Sequence, residues 1–108
     1  MKGGLKKVLE KDIQNAICEY LAYKGHFFWR QNTAPIFREG RFMSMPKFSI
    51  NGVPDIIVIW QGNFIGIEVK RPGGKLSEAQ KEFQKRCLKA GGEYHVVTSL
   101  DQMKDLGL

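Results

Sequence analysis

Long apolar runs, clustered cysteines and internal repeats are all missing from this sequence. The longest continuous apolar run covers residues 56–60 and reads Ile-Ile-Val-Ile-Trp, whereas a membrane-spanning helix needs about 18 or more such residues. Residues 1–4 lead into no signal-peptide core. These absences predict a soluble, intracellular protein with a cytoplasmic location and no membrane partner.

Cysteine is scarce, with Cys18 and Cys87 as the only two. Both lie inside predicted helices without a neighbouring pair of ligands, which excludes a disulfide framework and a cysteine-rich zinc site. We expect both to be buried, reduced thiols. No linker or low-complexity tract interrupts the 108 residues, of which 43% are hydrophobic. The composition therefore predicts one globular domain over residues 1–108 with a single core.

The sequence is basic, with 17 Lys and Arg residues and only 11 Asp and Glu residues, which gives a net charge of +6. A positive surplus favours polyanionic partners such as nucleic acid. It also fits ordinary solvated helix faces, to which Lys2, Lys6, Lys7, Lys81, Lys85 and Lys89 are well suited. Charge alone therefore does not decide between these two interpretations.

The first half of the chain predicts a helix, a strand and a long loop. From about residue 6 to 24, apolar side chains recur at steps of three and four, as one face of a helix requires, and Gly25 ends this segment. Residues 26–30 have the aromatic content of a strand. Residues 32–50 show no clean period and carry several basic side chains, and loops of this length are usually functional or mobile.

The second half predicts a hairpin followed by a crossover. A strand over residues 55–60 is apolar on both faces, which is typical of a central strand, and a turn at 61–63 leads to its partner at 64–70. The helix that follows separates the partner from the next strand, so these two strands can lie parallel. The following elements are a helix over 77–89 with Leu76, Ala79, Phe83, Cys87 and Leu88 on its inner side, a strand over 93–98, and a short helix capped by Ser99. The predicted fold class is α/β, with a mixed four-stranded sheet flanked by helices in the order αβββαβα.

Charged residues interrupt two otherwise apolar strands of this hairpin. Because side chains alternate along a strand, Glu68 and Lys70 point to the same face. Counting back from the turn places Asp55 near their level on the neighbouring strand. The sequence therefore predicts that two carboxylates and an ammonium group converge.

Two adjacent carboxylates repel each other, and a cation between them makes their apposition favourable. Oxygen ligands without a thiol or imidazole suit Mg²⁺, with Mn²⁺ as a substitute, rather than zinc. Such an ion polarises a phosphodiester oxygen and lowers the pKa of water, while the nearby lysine offsets developing charge. Phosphodiester hydrolysis is the reaction that these parts fit.

Simpler interpretations of the same residues remain open at this point. A Glu-x-Lys pair such as Glu68 and Lys70 is common on exposed strands as a solvated ion pair. Asp55, which follows Pro54, also fits a turn. The joint occurrence of these charges at facing ends of one hairpin is what favours a site.

Three segments together resemble the VRR-NUC (virus-type replication-repair nuclease) family of the PD-(D/E)xK nuclease superfamily. They are residues 52–55 (Gly-Val-Pro-Asp), 67–70 (Ile-Glu-Val-Lys) and 76–80 (Leu-Ser-Glu-Ala-Gln). The resemblance covers nearly the whole chain and implies a single nuclease domain with a restriction-endonuclease-like core. It also implies a metal-dependent DNA endonuclease, because stand-alone members are similar to phage-encoded homodimers that act on branched DNA such as Holliday junctions. A phage-encoded protein would work in the cytoplasm of its bacterial host.

The resemblance also assigns roles to individual residues. It implies that Asp55 and Glu68 are metal ligands, that Lys70 is the catalytic lysine, and that the backbone carbonyl of Val69 completes the coordination. Glu10 matches an acidic position in the first helix that binds the metal directly or through water. Gln80 matches the helix glutamine beside the lysine.

Structural roles compete with several of these assignments. Ser77 and Gln80 also have the spacing of a helix capping box, and Glu10 suits a first helical turn. For His26 and His95 a structural role is expected. Four aromatic residues fit either the core or stacking on unpaired bases, namely Trp29, Phe37, Phe42 and Phe48.

Basic residues in or beside the segments that border the predicted site are candidates for phosphate contacts. They are Arg30, Arg38, Arg41, Lys47, Arg71 and Lys75. Two other functions also fit the sequence. A non-catalytic nucleic-acid-binding module explains the charge but not the grouping of Asp55, Glu68 and Lys70. The residues do not exclude a metal-dependent ribonuclease.

Overall fold

A computed structural model describes residues 8–31, 37–38, 41–42 and 46–108 of the chain. Within them the elements are α1 (Glu10–Tyr23), β1 (Phe27–Arg30), β2 (Phe37–Arg38), β3 (Arg41–Phe42), β4 (Ile56–Trp60), β5 (Asn63–Val69), α2 (Glu78–Lys89), β6 (Glu93–Val97) and α3 (Leu100–Lys104).

A mixed four-stranded sheet organises the fold, with the strand order β1-β4-β5-β6. The neighbours β1 and β4 are antiparallel, as are β4 and β5, whereas β5 and β6 are parallel. The strand that is apolar on both faces, β4, lies inside the sheet, as its composition predicted. The α/β class and the order αβββαβα are confirmed, with β2 and β3 forming a separate two-stranded hairpin.

One face of the sheet forms the core with α1 and the C-terminal segment. Ile17 and Leu21 of α1 are completely buried, and they pack in one cluster with Ile65, Ile67 and Val69 of β5. These three β5 residues occupy alternate positions, so they share one face. Burying such side chains is the main favourable contribution to folding, at about 1.5–3 kcal/mol each. We call this side of the sheet the α1 face.

The opposite side, which we call the α2 face, is much less tightly covered. It carries Phe64, Gly66 and Glu68, which alternate with the core residues of β5. No residue of α2 is fully buried. Ala79 and Leu88, which we expected on the inner side of this helix, are exposed, so that expectation was wrong for both. Helical periodicity marks an apolar position, but the sheet area available to cover it depends on the tertiary fold.

Several boundaries differ from the sequence-based expectation. α1 begins at Glu10 rather than near residue 6, and residues 6 and 7 lie outside the described ranges. The basic excursion over 32–50 contains the two paired strands β2 and β3, which are too short to show a period. The helix cap expected at Ser99 is confirmed, because its Oγ accepts a hydrogen bond from the amide of Gln102.

Both cysteines are unpaired thiols that are partly, rather than fully, buried. Burial raises the pKa of each thiol above its ordinary value, which favours the uncharged form. Over the part of the chain that the structure describes, none of the helices has the length and apolar character needed to cross a membrane.

Candidate active site

The predicted site residues meet at one edge of the sheet, where β4 begins and β5 ends. Ile56 pairs with Ile67, so the preceding Asp55 lies at the level of Glu68. The Oδ2 atom of Asp55 accepts a hydrogen bond of 2.8 Å from the amide of Val69. This bond ties the Asp55 carboxylate to the strand segment between Glu68 and Lys70.

Close packing around two glycines fixes the approach to Asp55. Gly52 has a φ of +79°, and a Cβ there would lie 2.3 Å from the carbonyl oxygen of Ala79 in the first turn of α2. A Cβ on Gly66 would lie 2.5 Å from the ring of Pro54, which is itself buried. Only glycine allows either approach. The two contacts hold the segment before Asp55 against both α2 and β5.

Glu68 is the buried charged residue of the described chain, with 2% of its surface exposed. Its Oε2 atom accepts a hydrogen bond of 3.0 Å from Nε2 of Gln80 and lies 3.9 Å from the Nζ atom of Lys70. Its other oxygen, Oε1, is buried and has no hydrogen-bond partner among the described residues. The solvated ion pair considered for Glu68 and Lys70 does not fit this burial, because only 14% of the Lys70 side chain is exposed.

Gln80 makes two kinds of contact at the start of α2. Its Oε1 atom accepts a hydrogen bond of 2.8 Å from the amide of Ser77, while its own amide donates to the Ser77 hydroxyl at 3.2 Å. This is a complete capping box, the structural interpretation of these residues. The Nε2 group is left to donate to Glu68. The two interpretations are therefore compatible, because the cap fixes the side chain that holds the carboxylate.

The electrostatic setting of Glu68 favours its protonated form when no cation is present. Burial, followed by the charge and hydrogen bonding of the Asp55 carboxylate, raises the pKa of Glu68 from 4.5 to about 8. The Lys70 ammonium lowers this pKa and Glu10 raises it slightly further. Two acidic groups in one poorly hydrated place resist simultaneous ionisation.

A divalent cation fits this donor set. The unpartnered Oε1 atom of Glu68 and the adjacent Asp55 carboxylate are hard oxygen donors of the kind that Mg²⁺ and Mn²⁺ prefer. Among the described residues, no three His, Cys, Asp or Glu side chains are grouped closely enough to hold an ion by themselves. Backbone carbonyl and water oxygens would therefore have to complete the coordination.

Glu10 lies at the same edge of the sheet, at the beginning of α1. Its Oε2 atom accepts a hydrogen bond of 3.4 Å from the amide of Arg71, one residue after Lys70. The carboxylate is thus connected to the end of β5, although it does not join Asp55 and Glu68 in a three-acid cluster.

The predicted phosphate-contacting residues lie in different settings. Arg30, in the last position of β1, donates hydrogen bonds to Gln14 and Asn15 of α1. Lys47, Arg71 and Lys75 are exposed. Arg38 and Arg41 pair across β2 and β3, and their side chains lie outside the described part, as do those of Phe37 and Phe42.

Two of the four ambiguous aromatic residues have described side chains. Phe48 is fully exposed, so a core role for it was wrong, and Trp29 is 39% exposed. Trp29 pairs with Ile57, whose other partner is Gly66, so its side chain lies on the α2 face with Glu68. His95 contacts Glu93 at 2.9 Å, in keeping with a structural role.

Sequence reasoning missed one residue beside the site, Tyr94 on β6. It pairs with Gly66, and its hydroxyl is buried without a hydrogen-bond partner among the described residues. Burial, followed by the charges of Glu68 and Asp55, raises the pKa of Tyr94 above its ordinary value. The predicted parallel pairing of the two strands could have indicated this residue, because Tyr94 lies two positions before Val96, the partner of Glu68.

A restriction-endonuclease-like sheet that presents Asp55, Glu68 and Lys70 at one edge defines a nuclease-type domain. The family model of the VRR-NUC domain matches residues 46–101, more than half of the chain. The protein belongs to the VRR-NUC family.

Two solved structures show the same fold. One, described as a VRR_NUC domain, has 26% sequence identity and a TM-score of 0.64, covering 90% of this chain and 91% of that chain. Another, described as a VRR_NUC domain protein, has 20% identity and a TM-score of 0.61, covering 94% of this chain and 87% of the other. No curated protein matches the sequence.

Proposed function

We propose that the protein is a metal-dependent endonuclease that hydrolyses phosphodiester bonds in DNA, with Mg²⁺ as its cofactor and Mn²⁺ as a substitute. The observation that carries this proposal is the burial of Glu68 beside Asp55, with one Glu68 oxygen left without a described partner. Burying an acidic group in this way costs free energy, and a bound cation offsets that cost. Membership of a nuclease family supports the same conclusion.

Asp55 and Glu68 are the proposed metal ligands, together with the backbone carbonyl of Val69, and Glu10 acts directly or through water. When bound, the ion polarises phosphodiester oxygens and lowers the pKa of water. Gln80 holds the Glu68 carboxylate in place through its Nε2 group. The amide of Val69 does the same for Asp55.

Lys70 is the proposed catalytic lysine. Its ammonium group, 3.9 Å from Glu68, carries the positive charge needed to orient the attacking water and to offset charge on the phosphorus centre in the transition state. Water adds to phosphorus and one P–O ester bond breaks. One product keeps the phosphate, and the departing sugar oxygen takes up a proton and becomes a hydroxyl.

The proposed substrate is branched DNA such as a Holliday junction, cut by a homodimer. The support is the family resemblance and the net charge of +6. Pairing two copies doubles the basic surface and provides two symmetric sites for cutting two strands. The residues proposed to contact phosphates are Arg30, Arg38, Arg41, Lys47, Arg71 and Lys75.

The test is to incubate the purified protein with a four-way junction, linear duplex DNA and RNA, each with Mg²⁺, Mn²⁺ or EDTA. Junction cleavage that requires Mg²⁺ or Mn²⁺ is the expected result. Preferential cleavage of RNA would replace the proposal with a metal-dependent ribonuclease. Metal-independent binding without cleavage would replace it with a non-catalytic nucleic-acid-binding module.

Two lysine variants make a matched control for this experiment. Lys70→Ala removes the proposed catalytic ammonium group, whereas Lys85→Ala removes an exposed one from α2 at the same cost in net charge. We expect cleavage to be lost only with Lys70→Ala. Equal activity in both variants would assign the cleavage to another site or to a contaminant.

A further inference from the structure

An open pocket of about 600 Å³ lies on the α2 face, away from the candidate active site. Its apolar wall includes Phe64, Phe83 and Cys87, and two cations, Arg86 and Lys89, also line it. The volume falls within the range of about 300–1,000 Å³ that is usual for ligand pockets, which combine apolar walls with a few polar groups. The proposed chemistry at Asp55, Glu68 and Lys70 uses none of these residues.

The pocket and the candidate active site share the same two elements. Phe64 and Glu68 lie four residues apart on the same face of β5, which corresponds to about 13 Å along a strand. Gln80 and Cys87 are seven residues apart in α2, or about 10 Å along a helix. A substrate strand lying across the α2 face would therefore reach the pocket about three or four stacked nucleotides from the site of cleavage, at about 3.4 Å for each nucleotide.

The chemistry of the pocket selects its ligand. Phe64 and Phe83 have ring centroids 6.4 Å apart, so the wall presents two neighbouring aromatic rings, and the buried ring of Tyr94 supports Phe83 from behind at 6.0 Å. A ligand that matches it needs a flat apolar part for the rings and negative charge for Arg86 and Lys89. Cations in the last turn of a helix also complement its carbonyl end, but that role does not require an aromatic pocket beside them.

We propose that this pocket binds an unpaired nucleotide of the DNA strand, with its base against Phe64 and Phe83 and its phosphates facing Arg86 and Lys89. Single-stranded nucleic acids are commonly held by this combination of stacking and basic side chains. The proposal rests on the proposed function, because it takes DNA as the substrate. Among branched DNAs, one with a single-stranded flap offers such a nucleotide directly, whereas the arms of a four-way junction are fully paired.

The test measures binding rather than cleavage, in the Lys70→Ala background with Mg²⁺ present. The probe is a fluorescein-labelled duplex with a single-stranded flap, so that the junction fixes the register, and one abasic site is moved along the flap. Loss of one stacked base should weaken binding by about 5- to 150-fold at the position that occupies the pocket. The other positions should change little.

Two double variants separate the pocket from net charge. Arg86→Gln with Lys89→Gln neutralises its cations, while Lys81→Gln with Lys85→Gln neutralises two exposed lysines of the same helix that do not line it. We expect the first pair alone to reduce the abasic-site effect to less than about twofold. The same pair should make the slope of log affinity against log salt shallower by about 1.4, the value for two phosphate contacts on a single strand.

The proposal would be overturned if the abasic site weakened binding equally at every position, or if the two double variants had equal effects. If the first pair instead changes the oligomeric state in light scattering and leaves the abasic effect intact, the pocket is a protein interface and the proposal fails. Hydrolysis is scored separately with the unmodified protein. If the protein cleaves DNA but the abasic site has no position-specific effect, only the proposal for the pocket is rejected. If the effect is position-specific but no cleavage occurs, only the proposed endonuclease activity is rejected.

Discussion

The two faces of the sheet are built from the same strands but use them differently. On the α1 face, Ile17 and Leu21 are completely buried against apolar side chains of β4 and β5. On the α2 face, the helix has no fully buried residue, and the buried side chain of Glu68 is acidic. Neighbouring residues of β5 therefore have different roles: Ile67 and Val69 point to the α1 face and stabilise the core, whereas Glu68 between them points to the α2 face and belongs to the candidate active site.

Removing a carboxylate from the α2 face should have the largest effect, and it should fall on activity. We expect Asp55→Asn to lower the cleavage rate by about 10²- to 10³-fold, because one electrostatic contribution to the transition state is lost. Stability in EDTA should not fall, since the Asp55 charge disfavours ionised Glu68. The measurements are the metal-dependent cleavage rate and thermal unfolding.

Asp105→Asn is the matched control, because Asp105 is exposed at the end of α3. It should leave the cleavage rate within about twofold of the unmodified protein. A rate for Asp55→Asn above a tenth of the original would remove Asp55 from the proposed ligands.

A pair of leucine variants tests the stability side of the comparison. Leu21→Ala empties space in the core of the α1 face and should lower the free energy of unfolding by about 2–5 kcal/mol. Leu88→Ala, in the exposed part of α2, should change it by less than about 0.5 kcal/mol. Urea unfolding of both variants gives the two values. Similar losses would mean that α2 covers the sheet as tightly as α1 does.

The stability of the protein should depend on pH through Glu68, the buried acidic residue of the α2 face. With a pKa of about 8 in the folded protein against an ordinary 4.5, Glu68 binds its proton more tightly when folded. The folded state then holds more protons between these two values, so stability in EDTA should fall as pH rises from about 4.5 to 8. The total change should be a few kcal/mol at most, since a tenfold difference in proton affinity corresponds to about 1.4 kcal/mol.

Glu68→Gln should flatten this profile, whereas Glu82→Gln, which changes an exposed residue of α2, should retain it. Mg²⁺ or Mn²⁺ should also flatten the profile of the unmodified protein, because a cation offsets the ionised carboxylate. The melting temperature measured across this pH range in EDTA gives the comparison. A profile that is unchanged by Glu68→Gln would place the titrating group elsewhere.

The sequence predicted those features that depend on local pattern. Alternation along β5 placed Glu68 and Lys70 together, and the turn after β4 set the register that brings Asp55 beside them. The contacts of Gly52 with Ala79 and of Gly66 with Pro54 were not predictable in this way, because they join residues distant in the chain. Neither was the exposure of Leu88, which depends on how much of the sheet α2 covers.

Gln80 contacts both the helix cap at Ser77 and the carboxylate of Glu68, and a final pair of variants separates these two contacts. Gln80→Glu keeps an oxygen for the capping box, which accepts Glu as readily as Gln, but it removes the donor to Glu68 and adds a negative charge. Activity should fall by about 10- to 100-fold, the value of a hydrogen bond to a charged group. Stability in EDTA near pH 7 should change little, because Glu68, with a pKa of about 8, is then protonated and can donate a hydrogen bond to the new carboxylate.

Ser77→Ala should give the opposite result. It removes the hydroxyl that accepts from Gln80 and should cost about 1 kcal/mol of stability, while the contact between Gln80 and Glu68 remains. Cleavage rates and urea unfolding of both variants complete the comparison. If Ser77→Ala lowers the rate as much as Gln80→Glu does, the cap and the carboxylate contact act as one unit, and the α2 face depends on the start of its helix for activity as much as for folding.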